Sequence, residues 1–495
     1  MNTSLNKSVA IWNCGIVAKS LTKIVKAISA DQNTISIICS TEYDKISVES
    51  KLKETASSVV TISDVFDECK KQGDSLDGDR VMKLSEENEI KYSVNMVEII
   101  RADRHIGRGF VKGAWYPRST LSENITYIES LNIINRLFDF FDKFFSKSKI
   151  DVLLLEVASI SPKVACVVAR SHKVEVRIPH PSRVDKGYFF SKNEFIEYPD
   201  WSSSYKENLE KINKNKEPDL RIKGESYYLA KSEIIGYLQY GSLINTIKQI
   251  ITQFVTYLYR KLKGYRKYTE YYFTDKVRAI WRYHRGIVKA QNKTYIKHSS
   301  FLNKNYVLLP LQLEPESSMM VMTPEFNNQL YLIHLIASNM PASWTLVVKE
   351  HPLALGVRPS GFMIGIESYP NVCFASPFDH TKEWYKRSQA VGTINSTVGY
   401  EAAFDGVPVL SFGKYNFISI LDHVYYVNTS KSIFSAFKAI KKNKFDIEQR
   451  RIQGFSLYET IKNNAFLLDA RAFFSGNAKD VDIEIFASNF IKSYE

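Results

Sequence analysis

The chain has 495 residues, 44% hydrophobic and 24% charged, a length and balance that exclude a single small core or a disordered chain and fit two or three soluble domains. Sixty-six basic against 53 acidic residues leave a net charge of +13, which favours phosphate-bearing partners or a membrane surface without choosing between them. Its five cysteines are scattered and odd in number, which argues against a secreted disulfide framework or a cysteine metal site and for reduced thiols in the cytoplasm.

The N-terminal MNTSLNKSVAIWNCG holds one short apolar run and no cleavage site, so neither a signal peptide nor a membrane span is expected. Ser8 to Trp12 reads as a buried strand, Asn13 to Gly15 as a turn, IVAKSLTKIVKAI as an amphipathic helix and TISIICS as a second strand. This is a βαβ start, and it predicts a parallel, doubly wound first domain. Gly15 stands alone after the first strand, so no dinucleotide fingerprint is present and a helix-start role is expected. Asp77-Gly78-Asp79 reads as part of a polar loop. A second unit, KIDVLLLEVASISPKVACVVARSHKVEVRIP, places Glu156 at the carboxyl end of an apolar strand. Open α/β sheets bind ligands along that edge, although capping or a solvated carboxylate would account for the residue equally well.

From about Pro199 to Ser300 the character changes. SYKENLEKINKNKEPDLRIKGE reads as a charged loop, followed by a helical region. Between Ile251 and Ala290 ten basic residues face two acidic ones, interleaved with aromatics that include Phe254, Tyr257, Tyr265, Tyr268 and Phe273. That mixture suits an anionic membrane surface or a polyanionic acceptor; a linker helix pair with core aromatics is the plainer alternative, and nucleic acid is not expected.

NYVLLPLQL opens a second α/β unit, which continues through helix NNQLYLIHLIASNM and strand WTLVVKEHP. That strand delivers Lys349 and His351 to a sheet edge, with Arg358 nearby; together they predict an electropositive corner for a phosphate. VGTINSTVGYEAAFDGVPVL then reads as strand, turn, helix, strand. Asn395, Ser396 and Thr397 are capping residues that also build an anion site at a helix start, and Glu401 follows one turn later on the same face.

Set in order, LLPLQLEPESSM, the helix and KEHP segments, NVCFASPFDHTKEW and INSTVGYEAAFDGVPVLSFG resemble the C-terminal half of bacterial capsule polysaccharide biosynthesis proteins, the Kdo-transferase-like GT-B glycosyltransferases, over Tyr306 to Gly413. RADRH (Arg101 to His105), DVLLLEVAS and PSRVDKGYFF resemble the first domain more loosely. The resemblance implies an α/β GT-B fold: two Rossmann-like domains facing a cleft, at 1–198 and 301–450, a basic, aromatic connector at 199–300, and C-terminal helices at 451–495 that cross back to the first domain.

The resemblance further implies that the second domain binds a nucleotide sugar, CMP-Kdo by family, while the first presents a glycan or lipid-linked acceptor and a base. His351 would hold and assist the departing phosphate with Ser396 and Thr397, Glu401 would bind the ribose, and Glu316 falls on the glutamate of the family's PE pair. Relatives often read LHxQPE where this chain has Gln312 to Glu316. An inverting transfer needs a carboxylate base across the cleft, for which Glu156 is the first choice and Asp103 the second. No metal, and no cofactor beyond the nucleotide sugar, is expected. The reading is therefore a capsule or lipopolysaccharide glycosyltransferase in the cytoplasm, working at the inner membrane face. A teichoic-acid-type polyol-phosphate transferase and a non-catalytic assembly subunit are the alternatives.

Overall fold

The structure is a computed structural model that describes residues 7–30, 33–72, 75–111, 113–123, 125–215, 219–220, 222, 241–264, 269–359, 361–442 and 447–494. Tyr265 and Tyr268 of the aromatic run, and 216–218, 221 and 223–225 of the charged stretch, lie outside these residues.

Short apolar runs flanked by turns become strands buried on both faces. In the first sheet β1 is Ser8–Trp12, β2 Thr34–Cys39, β3 Ala56–Thr61, β4 Val152–Leu154, β5 Glu175–Pro181 and β6 Gly187–Ser191. Strands β3-β2-β1-β4-β5 run parallel. The expected all-parallel sheet fails at one edge: β6 pairs antiparallel with β5, and β13, Phe466–Leu467, pairs antiparallel with β6. Only residues 182–186 separate β5 from β6, enough for a hairpin but far too few for a parallel crossover.

The expected helix after β1 is split into Gly15–Ala18 and Leu21–Ser29, with Ser20 between them at φ −106°, ψ 7°. Asp77 is no loop residue; its side chain accepts from Arg80 N at 3.1 Å and caps helix Gly78–Tyr92.

The second sheet is parallel throughout, in the order β12-β11-β10-β7-β8-β9. Its strands are β7 Tyr306–Pro310, β8 Thr345–Lys349, β9 Val372–Ala375, β10 Ala390–Thr393, β11 Val409–Ser411 and β12 Val424–Tyr426. Residues that never leave the protein interior, such as Val307, Leu346, Val391 and Leu410, are fully buried here, which is why these strands read as continuous apolar runs.

Between the two units the charged stretch proves helical over Ser202–Lys214, where Tyr205 is buried and Asn208 donates to Thr460 at 2.9 Å. Helices Leu243–Leu262 and Phe273–Asn292 follow and pack on each other. After the second sheet, helix Ile447–Asn464 lies on helix Thr397–Phe404, β13 joins the first sheet, and helix Asp480–Lys492 packs against Leu21–Ser29. Phe473, Phe486 and Phe490 there complete the core that Val9, Ile11 and Ile24 begin, so the chain does cross back. The units also touch directly, through Trp115 N donating to Val357 O at 2.5 Å and Arg358 Nη1 donating to Gly113 O at 2.9 Å. All five cysteines are free thiols. Among the described residues no helix is long and apolar enough to cross a membrane.

Candidate functional site

The carboxyl ends of β7, β8 and β10 open onto a cavity of about 240 Å³ lined by Lys349, Glu350, His351, Asp379, Thr381, Ser396, Thr397 and Glu401, among others. Parallel pairing puts these three loops at one edge, so residues about fifty positions apart in sequence meet. Ser396 caps helix Thr397–Phe404, its hydroxyl accepting from Val398 N at 3.3 Å. In the orientation that satisfies its amide, the Gln312 side-chain oxygen accepts from Asn395 N and Ser396 N at 2.9 Å each. Thr397 N has no acceptor among the described residues and starts the helix, where the dipole also favours negative charge.

His351 follows β8. Its Nδ1 accepts from Leu353 N at 3.1 Å, which places the neutral ring's proton on Nε2. Burial holds its pKa below the ordinary imidazole value, against the pull of Glu350 and Glu316. The ring is therefore built as a neutral Nε2–H donor, a better hydrogen-bonding partner for a phosphate oxygen than a proton source at pH 7. Burial pushes Glu401 up to about 8, Lys382 opposing. A protonated carboxyl of this kind both donates and accepts, which suits a pair of sugar hydroxyls. Lys349, only 4% exposed, donates to Pro377 O at 2.9 Å, and burial draws its amine down to about 8.

Three expected donor-site residues are committed elsewhere. Arg358 does not make an electropositive corner: it donates to both Glu350 oxygens at 2.8 Å and to Gln312 O at 2.9 Å, and lies 3.5 Å from Glu314. With its bond to Gly113 it is a neutralised tie between the two units. The Asn395 amide donates to Ser318 O at 2.9 Å and Thr323 Oγ1 at 2.6 Å, which fixes the loop and leaves the cavity to its neighbours. Glu316 is exposed, stands outside the cavity lining, and accepts from Ser318 Oγ at 2.8 Å.

The residue overlooked beside it is Glu314, 3% exposed, whose Oε2 accepts no hydrogen bond among the described residues and faces the Arg358 guanidinium at 3.5 Å, and whose pKa is pushed by burial to about 7. Asp379 and Thr381 were also overlooked. They follow β9 at the same sheet edge, so the rule that singles out the segment after β8 would have found them.

In the first domain the carboxyl ends of β1, β2 and β4 border a larger cavity, about 560 Å³, lined by Trp12, Ser40, Thr41, Arg104, His105, Glu156, Ser159 and Tyr271, among others. Glu156 lies in this wall, accepts from Ile16 N at 2.6 Å, and is raised above the usual carboxylate range by burial. Gly15, φ +55°, is more than a helix start: a Cβ there would occupy the space of the Glu156 carboxyl group.

Asp103 is not in the wall. It is 1% exposed and accepts from His105 N at 2.6 Å, Ile106 N at 3.2 Å and Ile160 N at 3.2 Å, so it caps a turn and a helix start and reaches no substrate space. Its neighbour His105, held to Ser119 Oγ at 2.9 Å, does line the cavity. Of the RADRH segment, Arg104 and His105 line the cavity and Asp103 does not. Among the described residues no group of three His, Cys, Asp or Glu side chains is arranged as a metal site.

Two Rossmann-like units, one sheet wholly parallel and the other parallel but for its hairpin edge, each with a cavity at its carboxyl edge, define a GT-B protein. Residues 238–429 match the family model of the capsule polysaccharide biosynthesis proteins, a stretch that includes the second-domain cavity. Similar solved structures include UDP-GlcNAc 2-epimerase from Neisseria meningitidis bound to UDP-GlcNAc, with 11% identity over 92% of this chain and 98% of that one and a TM-score of 0.27. Thermosulfurimonas dismutans KpsC, a beta Kdo 2,4 transferase, is 12% identical over 68% of this chain and 87% of that one, with a TM-score of 0.29. At such scores the fold assignment rests on the sheet order itself. No curated protein matches the chain.

Proposed function

We propose that the chain is a glycosyltransferase of bacterial capsule or lipopolysaccharide synthesis, moving a sugar from a nucleotide-sugar donor, CMP-Kdo-like, to a glycan or glycolipid acceptor in the cytoplasm. The observation that carries this reading is the meeting of Lys349, His351, Ser396, Thr397 and Glu401 around one cavity at a parallel-sheet edge. The Thr397 amide, the two hydroxyls, the His351 Nε2–H and the Lys349 ammonium give a leaving phosphate fixed donors, while Glu401 takes the ribose hydroxyls.

In the transfer, an acceptor hydroxyl attacks the anomeric carbon with inversion. The bond from that carbon to the phosphate oxygen breaks, the nucleotide leaves with the electron pair, and the hydroxyl proton passes to Glu156. A carboxylate raised by burial is well matched to that proton. The charge on the phosphate is met by protein donors, so no metal is required.

Thermal stabilisation by a panel of nucleotides tests the donor: a ligand at about 100 times its dissociation constant adds about 2.7 kcal/mol. His351→Ala should then cut transfer by roughly 10²-fold, whereas Glu156→Gln should abolish transfer and keep the stabilisation. No stabilisation by any nucleotide, or wild-type transfer by both variants, overturns the reading. A phosphodiester in the product would make the protein a polyol-phosphate transferase instead.

A further inference from the structure

Helix Leu243–Leu262 is amphipathic in the inverted sense. Ile244, Ile247, Ile251, Val255, Leu258 and Leu262 are between 41% and 87% exposed, and at 3.6 residues per turn they fall within an arc of about 80°. The diametrically opposite side, Thr246, Gln249, Gln253, Thr256 and Arg260, is the covered one: Thr246 is 1% exposed, and Arg260 donates to Glu270 at 2.6 Å. A helix packed on a water-facing protein surface turns its apolar stripe inward; this one turns six large aliphatic side chains out.

The charges specify what covers them. The helix has no acidic residue. Lys248 and Lys261, both exposed, flank the stripe on its two sides, and Phe254 and Tyr259 lie at its margins, 47% and 59% exposed. The two acidic residues of the neighbouring helix region are neutralised within the protein, Glu270 by Arg260 and Lys276 and Asp275 by Arg118 and Arg278. A second copy of this +13 chain would bring like charge against like, whereas an anionic bilayer offers both acyl chains for the stripe and phosphates for the flanking ammonium groups.

We infer that helix 243–262 lies in the headgroup region of an anionic membrane, apolar stripe inward to the acyl chains, and docks the protein there. The docking goes beyond the transfer reaction and is measured without it. The test is flotation of the purified full chain with vesicles of phosphatidylcholine alone or mixed with phosphatidylglycerol. Binding is expected with phosphatidylglycerol only, weakening as salt is raised.

Lys248→Gln with Lys261→Gln should weaken binding about thirtyfold. Ile251→Glu with Leu258→Glu should abolish it, at an unchanged melting temperature because both side chains are exposed. Failure of the wild type to float with the anionic vesicles, or unchanged binding by both double variants, overturns the inference. So does a wild-type dimer in ultracentrifugation that the glutamate variant makes monomeric, since a second copy would then own the face.

Discussion

Gly15 lies directly against Glu156: the carboxylate occupies the space a Cβ at position 15 would need, and its Oε1 accepts from the next amide, Ile16 N, at 2.6 Å. The glycine also holds φ +55°, where other residues carry a strain of about 1–2 kcal/mol. Gly15→Ala is therefore expected to push the carboxyl group out of the cavity wall and to lower transfer by roughly 10²-fold, as loss of a general base does. Nucleotide-induced stabilisation, which reports the other domain, should survive. Steady-state transfer beside a thermal-shift titration reads both, and wild-type turnover in the variant would remove Glu156 as the base.

Glu401 gives a pH signature. Its folded pKa, about 8, lies above the ordinary carboxyl value, so the folded chain keeps a proton that the unfolded chain sheds. The sign follows: this contribution is fully present below about pH 4.5 and is lost as pH climbs towards about 8. Glu401→Gln should flatten that decline, measured as unfolding midpoints at a series of pH values. It should also preserve nucleotide affinity above pH 8, where a wild-type carboxylate repels the phosphate. An identical pH profile for both proteins would place the titration elsewhere.

Arg358 separates a structural tie from a phosphate ligand. Removing it by Arg358→Met strands Glu350 and Glu314 in the interior, and breaking a buried pair in this way costs about 3–5 kcal/mol. The expected result is a lower unfolding midpoint with nucleotide affinity unchanged for the molecules that remain folded. Normal stability with weakened nucleotide binding would restore Arg358 to the phosphate site.

Sequence reasoning reached β1, β7, β8, β10 and helix Thr397–Phe404 because each is a local pattern: an apolar run or a capped helix bounded by a turn. It reached Ser396, Thr397, Glu401 and His351 because one rule, that ligands gather at the carboxyl edge of a parallel sheet, converts strand ends into neighbours. What it missed is non-local. A positive charge at Arg358 is plain in the sequence, but the two glutamates that close on it, one of them 44 positions earlier, are not. Asp103 and Asn395 are polar residues in cavity-edge loops whose side chains are spent on the protein's own groups, Asp103 on backbone amides and Asn395 on Ser318 O and Thr323 Oγ1. Ser202–Lys214 read as a loop because its charges hide a face that packs against helix Ile447–Asn464.

The antiparallel edge of the first sheet has a consequence for how the protein is made. Strand β13 and the phenylalanines at 473, 486 and 490 belong to the first domain's sheet and core, yet they emerge from the ribosome after the entire second domain. Until then β6 is an open edge and the apolar side of Leu21–Ser29 is uncovered, the sort of surface that recruits the wrong strand or a chaperone. The first domain therefore completes its sheet and core only after the second domain has been made.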